Sequence, residues 1–334
     1  MFGLLLSLPA RSITVPNGDI RPIGPADIGP HPQNSKTHNE FWTYQFLLTG
    51  GVQIQVNFSR AKFGSMKDPV CGADLSIAGF KGRDYFVARE YPATNFKYDS
   101  LHAKLAVHEN IYFEGIPPKV HHVYFSTVKK NVSYNLDLAF EDMKTGMVWG
   151  DGVFGLKDDQ KIGLFIQIPG AKVRGQLIVN QDTLSLEGMG WMDHSYQTQF
   201  ATKLIDAGYR YVVSTGNIEG GIFFQSREGI FGYGLRYNNG DFLLLRPKGI
   251  RVTSQTSWAG TNVAEGLEIA MQGLDTLKFR RKENRQFTSA LAELGSMERF
   301  GAKIFLGGEI LGFKGKGVVN ENIPALFSFT VIKH

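Results

Sequence analysis

Phe41-Trp42-Thr43-Tyr44-Gln45-Phe46-Leu47-Leu48, then Thr49-Gly50-Gly51, then Val52-Gln53-Ile54-Gln55-Val56-Asn57-Phe58 is the stretch on which the fold turns. Apolar side chains recur at every second position on both sides of a glycine-rich break. A period of two is the signature of a strand with one face on a core. The glycines tolerate the positive φ that a tight connection demands. The stretch therefore predicts a β-hairpin.

The same alternation continues outward through 101–112, 120–125, 132–140, 162–168, 173–179 and 183–189. It resumes through 210–215, 221–225, 230–237, 242–247, 267–272 and 276–281. Thirty-nine glycines and 25 phenylalanines suit many short strands around an aromatic interior. Helical spacing recurs only at 289–300, through Leu291, Leu294 and Met297. The expected fold class is all-β.

Upstream, residues 12–39 hold Pro16, Pro22, Pro25, Pro30 and Pro32 with little periodicity, and read as an extended arm carrying no chemistry. Residues 1–10 are apolar enough to suggest the core of an export signal or a membrane-associating segment, although no basic start precedes them. No later stretch reaches the roughly 20 apolar residues of a membrane-spanning helix.

An internal repeat suggests how the strands divide. Residues 179–191 laid over 306–318 align Gly188-x-Gly190 with Gly315-x-Gly317 and set Asp193 against Asn320. The reading is an N-terminal arm (1–39) and two tandem β domains (40–204 and 205–334), each a barrel that removes exposed strand edges and can enclose one apolar ligand.

Composition excludes several function classes. Thirty-six basic against 31 acidic side chains leave a charge of only +5, spread along the chain, which argues against nucleic acid as a partner. Cys71 is the single cysteine and has no internal disulfide partner. His121-His122 fall on opposite faces of a strand, and His102 and His108 lack acids at ligand spacing, so neither metal nor cofactor is expected. The run Lys278-Phe279-Arg280-Arg281-Lys282 reads as an exposed strand edge, or more sharply as a contact with an anionic membrane surface.

Chemistry concentrates in Glu187-Gly188-Met189-Gly190-Trp191-Met192-Asp193-His194-Ser195-Tyr196. On a strand Trp191, Asp193 and Ser195 share one face, and Met192, His194 and Tyr196 the other. A carboxyl beside an indole in an apolar lumen can be held protonated as a general acid. If the Gly188-x-Gly190 pair bends the strand, His194 converges on Asp193 to orient it or to activate water. The blander reading is a turn-capping Asp, a satisfied His and a core Trp.

The segments Gly163-Leu164-Phe165-Ile166, Val173-Arg174-Gly175-Gln176-Leu177 and Leu186 to His194 resemble the lipocalin-like family of AttH and hydroxyneurosporene synthase (carotenoid 1,2-hydratase). Phe165 and Ile166 stand where that family commonly has tyrosines, and Tyr196 where hydratase-like members often have tryptophan. The resemblance implies two packed lipocalin-like barrels that bind hydrophobic molecules.

The expected function is therefore binding of an isoprenoid or lipid-like molecule, transformed by acid chemistry (hydration, cyclisation or isomerisation) with Asp193 and His194 catalytic. Trp191, Tyr196, Phe165 and Glu187 are the expected ligand contacts. A carrier without chemistry, in which the same cluster ties the barrels together, is the alternative. A hydrolase comes third, because Ser195 and His194 point apart on a strand.

Overall fold

The computed structural model describes residues 13–213, 218–291 and 296–334. Residues 1–10, with their expected targeting role, lie outside the described residues, as do the last two positions of the strand expected at 210–215.

Two antiparallel sheets dominate the described residues. The first contains β1 (Ile20–Pro22), β2 (Asn39–Leu48), β3 (Gln53–Ala61), β4 (Val70–Phe80), β5 (Arg83–Pro92), β6 (Lys97–Asp99), β7 (Lys104–His108), β8 (Ile111–Glu114), β9 (His122–Lys129), β10 (Val132–Glu141), β11 (Met147–Trp149), β12 (Val153–Gly155), β13 (Lys161–Val179) and β14 (Asp182–Gln197). Its order is β5-β4-β3-β2-β14-β13-β10-β9-β8-β7-β6, with β11 and β12 on β13 and the arm strand β1 on β11.

The second contains β15 (Ala207–Val213), β16 (Glu219–Ser226), β17 (Gly229–Asn238), β18 (Asp241–Leu245), β19 (Pro247–Trp258), β20 (Thr261–Met271), β21 (Leu277–Ser289), β22 (Glu309–Val319) and β23 (Ile323–Lys333). Its order is β18-β17-β16-β15-β23-β22-β21-β20-β19. Helices are short: α1 (Pro25–Ile28), α2 (Ala201–Leu204), which joins the sheets, and α3 (Ser296–Leu306). The opening hairpin is β2–β3, turning through Thr49–Gly51 with Gly50 at φ 72° and Gly51 at φ 75°.

Each sheet curls around its own apolar core. Trp42, Tyr44, Phe46, Phe58, Leu75, Phe113, Leu136 and Met192 fill the first lumen. Tyr211, Phe223, Leu267, Phe279, Phe313 and Phe327 fill the second. A third apolar layer lies between the sheets, where Ile162, Leu164, Ile166 and Trp191 meet Ile222, Phe231, Tyr233 and Leu235. Among the described residues no ladder joins β5 to β6 or β18 to β19, so hydrogen bonding does not close either curl.

The repeat is present in a different register from the one the glycines suggest. In each sheet the last strand returns to pair with the first, β14 with β2 and β23 with β15. The hairpin β13–β14 thus corresponds to β22–β23, and its turn residue Asn180 to Asn320, an offset of 320 − 180 = 140. Both asparagines adopt positive φ (56° and 47°). Each donates its backbone N–H to a neighbouring strand and accepts that residue's N–H on Oδ1, from Ser133 and from Lys278. Gly307 and Gly308, which the offset of 127 placed in a hairpin turn, instead follow α3. Asp193 therefore has no counterpart at Asn320.

Two further expectations are corrected. The helix expected at 289–300 is α3 at Ser296–Leu306, while Ser289 ends β21. The basic run 278–282 lies on β21, which is flanked by β20 and β22 and is not an edge, and Arg281 on it is buried.

Candidate functional site

Strand β14 divides the candidate residues between its two faces. Trp191, Asp193 and Ser195 point toward the second sheet, and Met192, His194 and Tyr196 toward the lumen and the arm. The expected convergence of Asp193 with His194 does not occur. The irregularity lies instead on β13, where the register slips between Ile166 and Ile168 and again before Ala171. Gly188 and Gly190 serve packing: a Cβ on Gly188 would sit 2.2 Å from the Leu47 carbonyl oxygen, and one on Gly190 2.8 Å from Val173 Cγ1.

On the outward face Asp193 is completely buried. Trp191 Nε1 donates to its Oδ2 (3.0 Å), and Arg210 Nη2 on β15 donates to its Oδ1 (2.8 Å). Burial pushes the Asp193 carboxyl above its ordinary value, while Arg210 and Trp191 pull against that rise. With Oδ2 held by Trp191 on its own strand and Oδ1 by Arg210 across the sheet junction, Asp193 is a joint between β14 and β15. Trp191 is likewise packed between the sheets, where its ring occupies the space that a Cβ on Gly220 would need (2.7 Å).

The inward face carries a polar cluster that sequence periodicity only half reveals. Cross-strand pairing sets Phe165, His194 and Trp42 in one row and Gly163, Tyr196 and Glu40 in the next. Trp42 stacks on the His194 ring at 4.6 Å and 11°. A Cβ on Gly163 would sit 2.1 Å from Tyr196 Cε1, so only glycine lets the phenol ring lie across β13. Gln167 is the extra residue of the bulge on β13; its Nε2 donates to the Asp27 carbonyl oxygen (3.0 Å) and lies 3.3 Å from His194 Nδ1.

Glu40 is the hub. Its Oε1 accepts from the His31 backbone N–H (2.6 Å) and lies 2.9 Å from His194 Nε2, while His38 Nε2 is 3.6 Å from its Oε2. Burial favours the neutral acid, but the hydrogen bond with His194, the nearby His38 imidazole and the His31 backbone N–H outweigh it and hold the Glu40 carboxyl down at about 2. Both Glu40 and His194 have zero exposure. The arm contributes directly: the His31 ring stacks on Phe165 (4.5 Å, 16°) and lies 5.5 Å from Tyr196. The arm, read from sequence as carrying no chemistry, packs His31, His38 and the Asp27 carbonyl against this cluster.

Around this hub several buried polar atoms have no hydrogen-bond partner in the protein: Glu40 Oε2, His31 Nε2, both ring nitrogens of His38, Gln167 Oε1 and Trp42 Nε1. Deeper in the lumen Tyr44 Oη lies 2.8 Å from His121 Nε2, while His121 Nδ1 faces the Gly115 carbonyl oxygen at 3.0 Å. Burial keeps that imidazole neutral, its pKa brought down to about 4.

His194, Tyr196 and Phe165 thus meet in the cluster, whereas Asp193 and Trp191 do not. Glu187 stands exposed on the outer surface opposite Arg174 (3.4 Å), so it lines no interior. Sequence reasoning missed Glu40, His38, His31 and Gln167. Glu40 had an available signal, since it continues the inward-facing file of Trp42, Tyr44 and Phe46. Between the sheets a separate cleft of about 440 Å³ is lined by Phe41, Tyr209, Phe224, Arg210, Asp74 and Lys314.

Comparison with solved structures places the fold in a known architecture. An AttH protein of Nitrosomonas europaea aligns with TM-score 0.63 at 13% identity, over 95% of this chain and 98% of that one. The fold is that of the AttH-like lipocalin-fold proteins. Kievitone hydratase from Nectria haematococca aligns with TM-score 0.55 at 13% identity, covering 97% of this chain and 96% of that one. CghA with Sch210972 aligns with TM-score 0.59 at 13% identity, covering 92% and 95%. At such identity the AttH-like likeness is one of architecture. No family model and no curated protein matches the sequence.

Proposed function

We propose that the protein binds an apolar small molecule and moves a proton to or from it at Glu40, in a hydration, dehydration or isomerisation. The observation that supports this is the group of unpartnered buried polar atoms around Glu40, set among Trp42, Phe165 and Tyr196. Such atoms are costly unless something pairs with them, and a site built to hold a polar group of a ligand leaves them free beforehand.

Roles follow from the contacts. Glu40 is ionised at neutral pH, so it is the base, and its Oε2 is the oxygen left to take a proton. His194 is a positioning residue that pins Oε1. In an isomerisation Oε2 takes a proton from one carbon and a ring nitrogen of His38 returns one to another; in a hydration Oε2 takes a proton from the water whose hydroxyl adds to the ligand while a ring nitrogen of His38 gives a proton to carbon, and dehydration is the reverse. The aromatic rings suit an isoprenoid or other apolar body, and their faces stabilise positive charge that develops when carbon is protonated. One AttH-like fold neighbour is named as a hydratase, which makes hydration the first reaction to test.

The test uses heavy water, because a carbon acid or alkene that exchanges a proton with the protein acquires deuterium whatever the net reaction. Wild-type protein incubated in D2O with a panel of isoprenoid alkenes and apolar enones should label one class of them, as read by mass spectrometry. Glu40→Gln should lower the labelling rate by roughly 100-fold or more. Labelling that survives Glu40→Gln in folded protein removes Glu40 from the chemistry.

The second reading, a carrier without chemistry, is favoured by one observation: Glu40 and His194 are sealed beneath the arm. Under that reading a ligand copurifies and no substrate in the panel is labelled. A serine hydrolase gains nothing, since Ser195 lines the cleft between the sheets and His194 faces away from it.

A further inference from the structure

Arg281 stands apart from everything used above. It lies on the lumen-facing side of β21 with Leu277 and Phe279, inside the second curled sheet, and is only 5% exposed. Its guanidinium carbon sits 5.4 Å from the centre of the Trp258 ring. Among the described residues none accepts a hydrogen bond from Nη1 or Nη2 of this side chain. Glu265, the one acid whose field reaches it, forms no ion pair with it.

A buried guanidinium is costly to retain unless an anion accompanies it. Ordinary folding would remove that cost by ion pairing, as the same protein does for Arg210 with Asp193 and for Arg236 with Glu219. Here the two terminal nitrogens lie near an indole and are left open. That arrangement matches the two oxygens of a carboxylate, which a guanidinium binds through parallel N–H donors. Val263, Leu267, Phe279, Phe313 and Phe327 line the surroundings, with Glu265 between Val263 and Leu267 on the same face of β20 as the one acid on that stretch. Trp258 itself is half-buried and ends β19, next to the turn into β20.

The geometry points to a second ligand site, in the second curled sheet, that takes an apolar carboxylic acid with its carboxylate on Nη1 and Nη2 of Arg281 and its hydrocarbon toward Phe279 and Phe313. This site is separate from the Glu40 cluster and takes a different chemical class, so either can fail without the other.

Calorimetric titration of the full chain with octanoate, octanol and octyl phosphate, each below its aggregation threshold, tests it. Octanoate should bind at least ten-fold more tightly than octanol, and more tightly than octyl phosphate, whose tetrahedral head fits the planar fork less well. Arg281→Gln should erase the preference for octanoate and leave octanol unchanged, while Arg281→Lys should restore part of it. Thermal melting separates ligand loss from misfolding: with its unpaired charge removed, ligand-free Arg281→Gln should melt no lower than wild type. Equal affinity for octanoate and octanol, absence of octanoate binding, octanoate binding indifferent to Arg281→Gln, or a marked fall in the melting temperature of that variant would each overturn the assignment. Tighter binding of octyl phosphate than octanoate would overturn the carboxylate in particular.

Discussion

His121 shows at the scale of one residue how burial sets protonation and, through it, stability. Its folded pKa is brought from 6.5 to about 4 because the lumen cannot solvate an imidazolium. The unfolded chain therefore takes up a proton below about pH 6.5 that the folded chain refuses until about pH 4. Stability from this residue is complete above pH 6.5 and falls as the pH drops through that window, by roughly 3 kcal/mol in all. Urea unfolding at pH 7 and pH 4.5 should show the fall, and His121→Gln should flatten it; an unchanged slope in the variant would assign the acid sensitivity elsewhere. The same dry lumen explains why Glu40 was hard to read from sequence. A lone acid before an apolar run looks like a strand boundary. Only the chain passing over it, with His31 and His38, turns it into a hub.

At the scale of the elements, β13 and β14 carry most of the account. The alternation along them was legible, and so was the division of Trp191, Asp193 and Ser195 from Met192, His194 and Tyr196. Which set faced the lumen was not, because both faces of β14 are buried and apolar content cannot rank them. The bulge at Gln167 was likewise hidden, since an added residue leaves no mark in a run such as Leu164-Phe165-Ile166-Gln167-Ile168. Two predictions belong here. Gly163→Ala should cost about 1–3 kcal/mol, because its Cβ meets the Tyr196 ring at 2.1 Å. Chemical denaturation measures that cost, and a neutral result would mean that Tyr196 does not lie across β13. Asp193→Asn should cost about 3 kcal/mol by leaving Arg210 without its counter-charge, and Asp193→Asn with Arg210→Gln should recover most of it. Simple additivity of the two losses would show that the contact across the sheets contributes nothing.

At the scale of the whole molecule the sequence supported an all-β chain with two tandem lipocalin-like units, and the structure has two curled antiparallel sheets. Repetition was visible too, but its register was not. Gly188-x-Gly190 and Gly315-x-Gly317 attract the eye, yet each glycine answers a local packing demand. The equivalent positions are Asn180 and Asn320, marked by matching turn geometry and hydrogen bonds. Conserving that turn in both units fits hairpins whose last strand must return to the first. The sheets are joined by the apolar layer around Trp191 and Tyr233 and by the Asp193–Arg210 pair, while residues 27–38 cover the Glu40 cluster. The proposal assigns Asp193 to assembly and Glu40 to proton transfer.

The most direct measurement of that division compares deuterium labelling by Glu40→Gln and Asp193→Asn protein on the substrate class that wild type labels, at a temperature where circular dichroism shows both variants folded. The account predicts that Asp193→Asn labels within about three-fold of wild type, its lost contact being structural, while Glu40→Gln falls by roughly 100-fold or more. The reverse pattern, with labelling lost in folded Asp193→Asn and retained in Glu40→Gln, would contradict it.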